Sequence, residues 1–79
     1  HRERLDEITG VLSAKPMCAF EVAGKMTWYY KEGNFQDYPL VMKWMATSEI
    51  LAHLQYLWEQ GEVSRFGGPG ETYIYRYGS

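Results

Sequence analysis

The spacing of apolar residues changes at Gly61, and that change limits the fold more than any other feature. From Thr47 to Gln60, Ile50, Leu54, Leu57 and Trp58 fall on one helical face with Leu51 beside them. Thr47 is a favourable N-cap and Gly61 a favourable helix stop, so this run predicts a helix bounded at both ends. Beyond Gly61 the period drops to two. Glu62 to Phe66 and Thr72 to Tyr77 are β-prone and are separated by Gly67-Gly68-Pro69-Gly70-Glu71, which reads as a β-hairpin with a glycine-rich tip. In its second strand Tyr73, Tyr75 and Tyr77 alternate with Thr72, Ile74 and Arg76 on the opposite face.

Upstream, Leu5, Ile8 and Leu12 recur at helical spacing, and Arg2/Asp6 and Arg4/Glu7 place opposite charges four and three residues apart, as on a surface helix with one buried stripe. Gly10 weakens its last turn, and Ser13-Ala14-Lys15-Pro16 ends it, because proline disfavours helical geometry in the residue before it. Cys18 to Met26 predicts a short second helix with Phe20, Ala23 and Met26 on one face. Trp28-Tyr29-Tyr30 and the stretch from Lys31 to Pro39 break that period and gather turn-forming residues, giving an aromatic-rich loop. Leu40 to Met45 reads as a short helical turn leading into the long helix.

A chain of 79 residues forms one domain with a thin core, because a fold of this size buries only about 60–65% of its unfolded surface. Three Trp, seven Tyr and three Phe supply more hydrophobicity than a disordered segment carries, so the chain is expected to fold. Cys18 is the single cysteine and has no internal partner, which fits a reducing, cytoplasmic origin. No apolar run approaches the length of a membrane span, and no basic-then-apolar leader is present. The chain starts at His1 rather than Met, and the expectation is a single module, residues 1–79, excised from a larger protein. The net charge of −2 argues against a nucleic-acid partner.

Helix, short helix, loop, long helix and hairpin give an expected α+β class: a small winged-helix-like domain of three main helices with a C-terminal two-stranded wing. The residues themselves add a resemblance. Arg4-Leu5-Asp6-Glu7-Ile8, Pro16-Met17-Cys18-Ala19-Phe20-Glu21-Val22-Ala23, Lys43-Trp44-Met45-Ala46-Thr47-Ser48-Glu49 and Ala52-His53-Leu54-Gln55-Tyr56-Leu57 occur in this order, followed by Gly61 and Val63. Together they resemble the C-terminal winged-helix module of metallo-β-lactamase-fold hydrolases, over nearly the whole chain. The signal lies in the order and spacing of all four segments. In that family catalysis belongs to an N-terminal αββα domain, where a His-x-His-x-Asp-His cluster and further His and Asp residues hold one or two metals. This chain has no such cluster: its two histidines, His1 and His53, lie far apart in sequence, and no catalytic role carries over to any of its residues. The resemblance implies an accessory role instead, packing on the chain's own N-terminal catalytic domain, shaping its substrate cleft and contributing to a homodimer. Zinc is expected in that absent domain and no cofactor in this chain.

Four features are weighed as sites. Glu49 and His53 lie one turn apart and project from one helical face, where they would supply two metal ligands or a proton relay; two ligands fall short of a zinc site, and a structural pair is the favoured reading. Cys18 has no adjacent base and reads as a small core or helix-start residue. The glycine-rich tip leads into a strand rather than a helix, and no Lys-Ser/Thr follows, so it reads as a wing tip and not a phosphate cradle. The aromatic loop, Trp28, Tyr29 and Tyr30 with Phe35 and Tyr38, either forms an interface to the catalytic domain or fills the thin core.

The winged-helix order also raises an alternative, a regulatory DNA-binding domain whose third helix enters the major groove. From Ala46 to Gln60 that helix carries no Lys or Arg, while Glu49 and Glu59 are acidic, so phosphates would repel it. The accessory reading places Phe20, Val22, Leu51, Leu54, Leu57 and Trp58 in the core.

Overall fold

The computed structural model describes residues 2–26, 35–67 and 72–78, with the backbone alone described at Arg2. Among these residues the first helix, α1, spans Arg2–Leu12 and buries Leu5, Ile8 and Leu12 as the spacing predicts. It stops where the sequence places its end, just ahead of Pro16. Residues Met17–Cys18 then form a short strand, β1, before the second helix, α2, begins at Ala19 and runs to Lys25. A 3₁₀ turn at Phe35–Asp37 precedes the long helix α3, Leu40–Glu59. Strands β2, Val63–Phe66, and β3, Ile74–Tyr77, complete the chain.

The hairpin is thus the larger part of a three-stranded antiparallel sheet in the order β1-β3-β2. Met17 pairs with Tyr75 on one side of β3, and Arg65 pairs with Tyr75 on the other. Met17, Tyr75 and Val63 are buried and close one side of the core. Three helices and this sheet make a small α+β domain, the class expected from the sequence. Among the described residues no helix is long and apolar enough to cross a membrane.

The expected start of the long helix is corrected. Thr47 is not its cap, because the helix already begins at Leu40, and the Thr47 hydroxyl donates back to the Lys43 carbonyl at 2.7 Å. Pro39 ends the preceding extended segment, and its carbonyl accepts from the Met42 and Lys43 N–H groups at 3.0 and 3.1 Å. The C-terminus matches the expectation. Gly61 donates to the Trp58 carbonyl at 3.1 Å and Glu62 to the Leu57 carbonyl at 2.9 Å, while Gly61 has φ 78°; together these form a Schellman stop.

The expected core is corrected at three positions. Val22, Leu54 and Leu57 are fully buried, but Phe20, Leu51 and Trp58 are 45%, 43% and 39% exposed. The buried row of α3 is Ala46, Ile50, Leu54 and Leu57. Each helical residue turns about 100° from the last, so Leu51 and Trp58, one step beyond Ile50 and Leu57, fall on the flank of that row. In α2 the buried face is Ala19, Val22 and Ala23, and Phe20, about 100° on from Ala19, is turned outward.

Candidate functional site

The main feature of the surface is apolar, and it follows from the early start of α3. The fully buried row of this helix begins at Ala46, and in the first two turns Met42 packs against the core while the other large apolar side chains face outward. Leu40, Val41, Trp44 and Met45 are consequently 81%, 60%, 74% and 67% exposed. Leu40 and Trp44 are four residues apart, as are Val41 and Met45, so the two pairs stack on adjacent helical rows. Large apolar side chains this exposed and this contiguous mark an interaction surface rather than the scattered hydrophobics of an ordinary exterior.

A groove of about 450 Å³ runs beside this surface, where α3 meets the start of α2 and the approach to β3. Phe20, Leu40, Trp44, Leu51 and Tyr73 give it apolar walls, and Lys43, Thr47 and Thr72 are its polar members. The outer edge of Phe20 is held by the Phe35 ring, 5.6 Å away at 63°. Lys43 is half-buried and makes no ion pair or side-chain hydrogen bond among the described residues.

The aromatic residues singled out from the sequence divide. Phe35 and Tyr38 are buried, 5.6 Å apart between ring centres, and contribute to the core rather than to a surface. The cause is the 3₁₀ turn, which folds Phe35 back against Gly24 and Phe20. Trp28, Tyr29 and Tyr30 lie outside the described residues, as does the glycine-rich tip from Gly68 to Glu71.

The Glu49 and His53 side chains are not paired with each other in a ligand geometry. The His53 ring donates through Nδ1 to the Glu49 backbone carbonyl at 2.7 Å. The Glu49 carboxylate instead takes the Arg4 guanidinium at 3.3 Å, tying α1 to α3. Arg4 also lies 4.0 Å from Glu7. Cys18 caps the start of α2, where its N–H donates to the Glu21 carboxylate at 3.5 Å. Among the described residues no group of three or more His, Cys, Asp or Glu is placed to hold a metal ion.

Arg65 on β2 is engaged within the fold. Its guanidinium carbon lies 3.8 Å from the Trp58 ring centre and 4.3 Å from that of Tyr73, and its Nη1 donates to Gln55 Oε1 at 3.0 Å. Arg76 lies 5.3 Å from the Phe66 ring. The two arginines of the hairpin thus sit over aromatic faces. Helix α3 gains Lys43 by its longer extent, yet its first two turns expose Leu40, Val41, Trp44 and Met45, and its later turns expose Glu49 and Glu59 with no Lys or Arg, unlike a helix that reads base edges and phosphates.

No protein-family model matches the chain, and no curated protein matches it. Among solved structures, the crystal structure of a beta-lactamase domain protein from Burkholderia ambifaria is similar over 98% of this chain, with a TM-score of 0.75 and 30% sequence identity. The chain spans 21% of that protein's length, and is thereby linked to one part of a beta-lactamase domain protein.

Proposed function

We propose that this chain is a non-catalytic accessory domain, winged-helix in type, of a zinc-dependent metallo-β-lactamase-superfamily hydrolase. It packs on the catalytic domain through the first two turns of α3 and helps to wall the substrate cleft. The observation that carries this reading is the exposed row of Leu40, Val41, Trp44 and Met45, an apolar surface that the chain leaves uncovered among its described residues. The similarity to 21% of a longer beta-lactamase domain protein supports this reading, because the remainder of such a chain would be available to cover that surface. The described residues do not fit zinc, since no three of their acidic, His and Cys side chains gather in a ligand group, and the metal is assigned to the catalytic half.

The test compares the full-length gene product with a version lacking these 79 residues, on thioester, lactone and phosphodiester substrates with added zinc. Altered activity or selectivity in a truncated enzyme that remains folded and metal-bound supports the reading. Unchanged activity and selectivity, or a gene without an upstream metal-binding half, overturns it. A second copy of the chain is the competing occupant of the α3 surface, and sedimentation of the full-length protein, with and without Trp44→Ser, distinguishes the two.

The DNA-binding alternative shares the same element order. The exposed apolar side chains of the first two turns of α3, the exposed Glu49 and Glu59 further along it, and the engagement of Arg65 and Arg76 with aromatic rings count against it. Salt-sensitive, sequence-selective binding of duplex DNA by this chain would favour that alternative over the accessory role.

A further inference from the structure

We infer that the groove between α2, α3 and the approach to β3 is a binding site for a small amphipathic anion, a molecule with an acyl or aryl body and one carboxylate-type head. The inference deepens the accessory reading by naming the substrate class that the cleft wall takes, and rests on that reading for its biological role.

Three observations lead to it. The groove's volume of about 450 Å³ lies within the range of small-molecule sites, roughly 300–1,000 Å³. Its walls are the side chains of Phe20, Leu40, Trp44, Leu51 and Tyr73, drawn from two helices and the strand approach, so an apolar body meets ring or branched carbon on several sides. The third observation is charge. Lys43 lines this apolar groove, half-buried, with no carboxylate partner among the described residues, while Arg4, Lys15 and Arg65 each engage a carboxylate, an amide or aromatic rings. An ammonium on an apolar wall favours a ligand that brings its own anion and an apolar body together.

A small ligand fits this arrangement better than a protein segment, because the groove is a recess at a junction of three elements, whereas Val41 and Met45, on the same turns of α3 but outside the groove, are 60% and 67% exposed and suit a flat partner. The groove opens beside those turns, so a bound anion would sit at the seam where the catalytic domain docks.

The experiment titrates the 79-residue chain with octanoate, octyl phosphate, 1-octanol and octyltrimethylammonium, following amide and side-chain NMR shifts. Octanoate is expected to give saturable shifts confined to Phe20, Lys43, Trp44, Leu51 and Tyr73. Octanol should bind about threefold more weakly, the size of effect that one partly exposed ion pair supports, and octyltrimethylammonium more weakly still. Lys43→Met keeps the apolar stem and should erase the preference for octanoate over octanol. Lys43→Gln provides the same test should the first variant lose its fold. Trp44→Ala should weaken all four ligands together. Octyl phosphate binding as tightly as octanoate identifies the recognised feature as the negative charge, and weaker binding identifies it as the carboxylate; either fits the assignment. Shifts scattered over the surface, no saturation, equal binding of octanol and octanoate, or a preference that survives loss of the Lys43 charge would overturn it. Because this titration uses only the 79-residue chain, its outcome is separate from the truncation test: binding without any effect of truncation would refute the accessory role and leave the site standing.

Discussion

The Arg65 guanidinium carbon lies 3.8 Å from the centre of the Trp58 ring and 4.3 Å from that of Tyr73. One cation therefore joins the last turns of α3 to the sheet, with Gln55 accepting from its Nη1. Arg65→Ala should destabilise the domain by about 1–2 kcal/mol, since a partly desolvated cation–π contact contributes about 0.5–2 kcal/mol and the hydrogen bond to Gln55 is lost with it. Arg65→Lys should recover only part of this, because an ammonium cannot stack its face between two rings. Urea midpoints of the three proteins measure the effect, and an unchanged midpoint in Arg65→Ala would show that the contact contributes nothing.

Leu54 and Leu51 are three residues apart on α3 but differ fully in burial, with Leu54 at 0% exposure and Leu51 at 43%. Leu54→Ala should cost about 2–5 kcal/mol, the transfer energy of the lost carbons together with the cavity left behind. Leu51→Ala should cost less than about 1 kcal/mol, because much of its surface already faces water. Equal losses in the two variants, read from the same denaturation curves, would contradict the burial pattern.

These two leucines also show how far the sequence can be read. Helical period, the stop at Gly61 and the alternation beyond it are local signals, and they place α1, the end of α3, and β2 and β3 correctly. Strand β1 carries no local signal: Met17 and Cys18 are extended because β3 pairs with them from far along the chain. Which face of α2 packs inward is likewise set by tertiary contact, through Ala19, Val22 and Ala23, and this leaves Phe20 outside. Composition tells that the core is thin but not how wide each helix's buried stripe is, so Leu51 and Trp58 look like core until the narrow row Ala46, Ile50, Leu54 and Leu57 is seen. The candidate surface was hidden for a related reason. Leu40 to Met45 reads as a short helical turn leading into the long helix, and nothing in the spacing says that Leu40, Val41, Trp44 and Met45 face away from the core. Phe35 and Tyr38 are the more conspicuous aromatics in the sequence, and packing accounts for them.

Two glycines should respond to alanine in opposite directions. Gly61 holds φ 78° in the stop of α3, where a Cβ is strained although open space surrounds it. Gly61→Ala should therefore destabilise by about 1–2 kcal/mol. Gly10 lies within α1, is exposed, and would place its new Cβ with no neighbour within 4 Å. Gly10→Ala should stabilise by about 0.5–1 kcal/mol through helix propensity and a less free unfolded chain. Thermal melts of the two single variants check both signs, and the double variant should show the sum, as the sites are on different helices.

Tyr75 gives the domain a predictable alkaline limit. Its phenol sits at the centre of the sheet, 2% exposed, and burial raises its pKa above the ordinary 10.0. Hydrogen bonding and charge from Arg65 act in the opposite direction but are smaller. The native state therefore holds a proton that the unfolded chain releases first, so this contribution to stability is complete below pH 10.0 and is lost as pH rises toward and through the raised native value. Melting temperatures measured from about pH 8 to about pH 11 should fall more steeply above the ordinary tyrosine pKa in the parent chain than in Tyr75→Phe, which has no phenol to ionise there. The remaining tyrosines titrate in both proteins and cancel in that comparison. Arg65→Ala removes the opposing influence and should push the Tyr75 transition further up, visible as a later rise in phenolate absorbance. Parallel melting curves for the parent and Tyr75→Phe would mean that the buried phenol ionises alike in the folded and unfolded chains, and that the sheet centre is open to water.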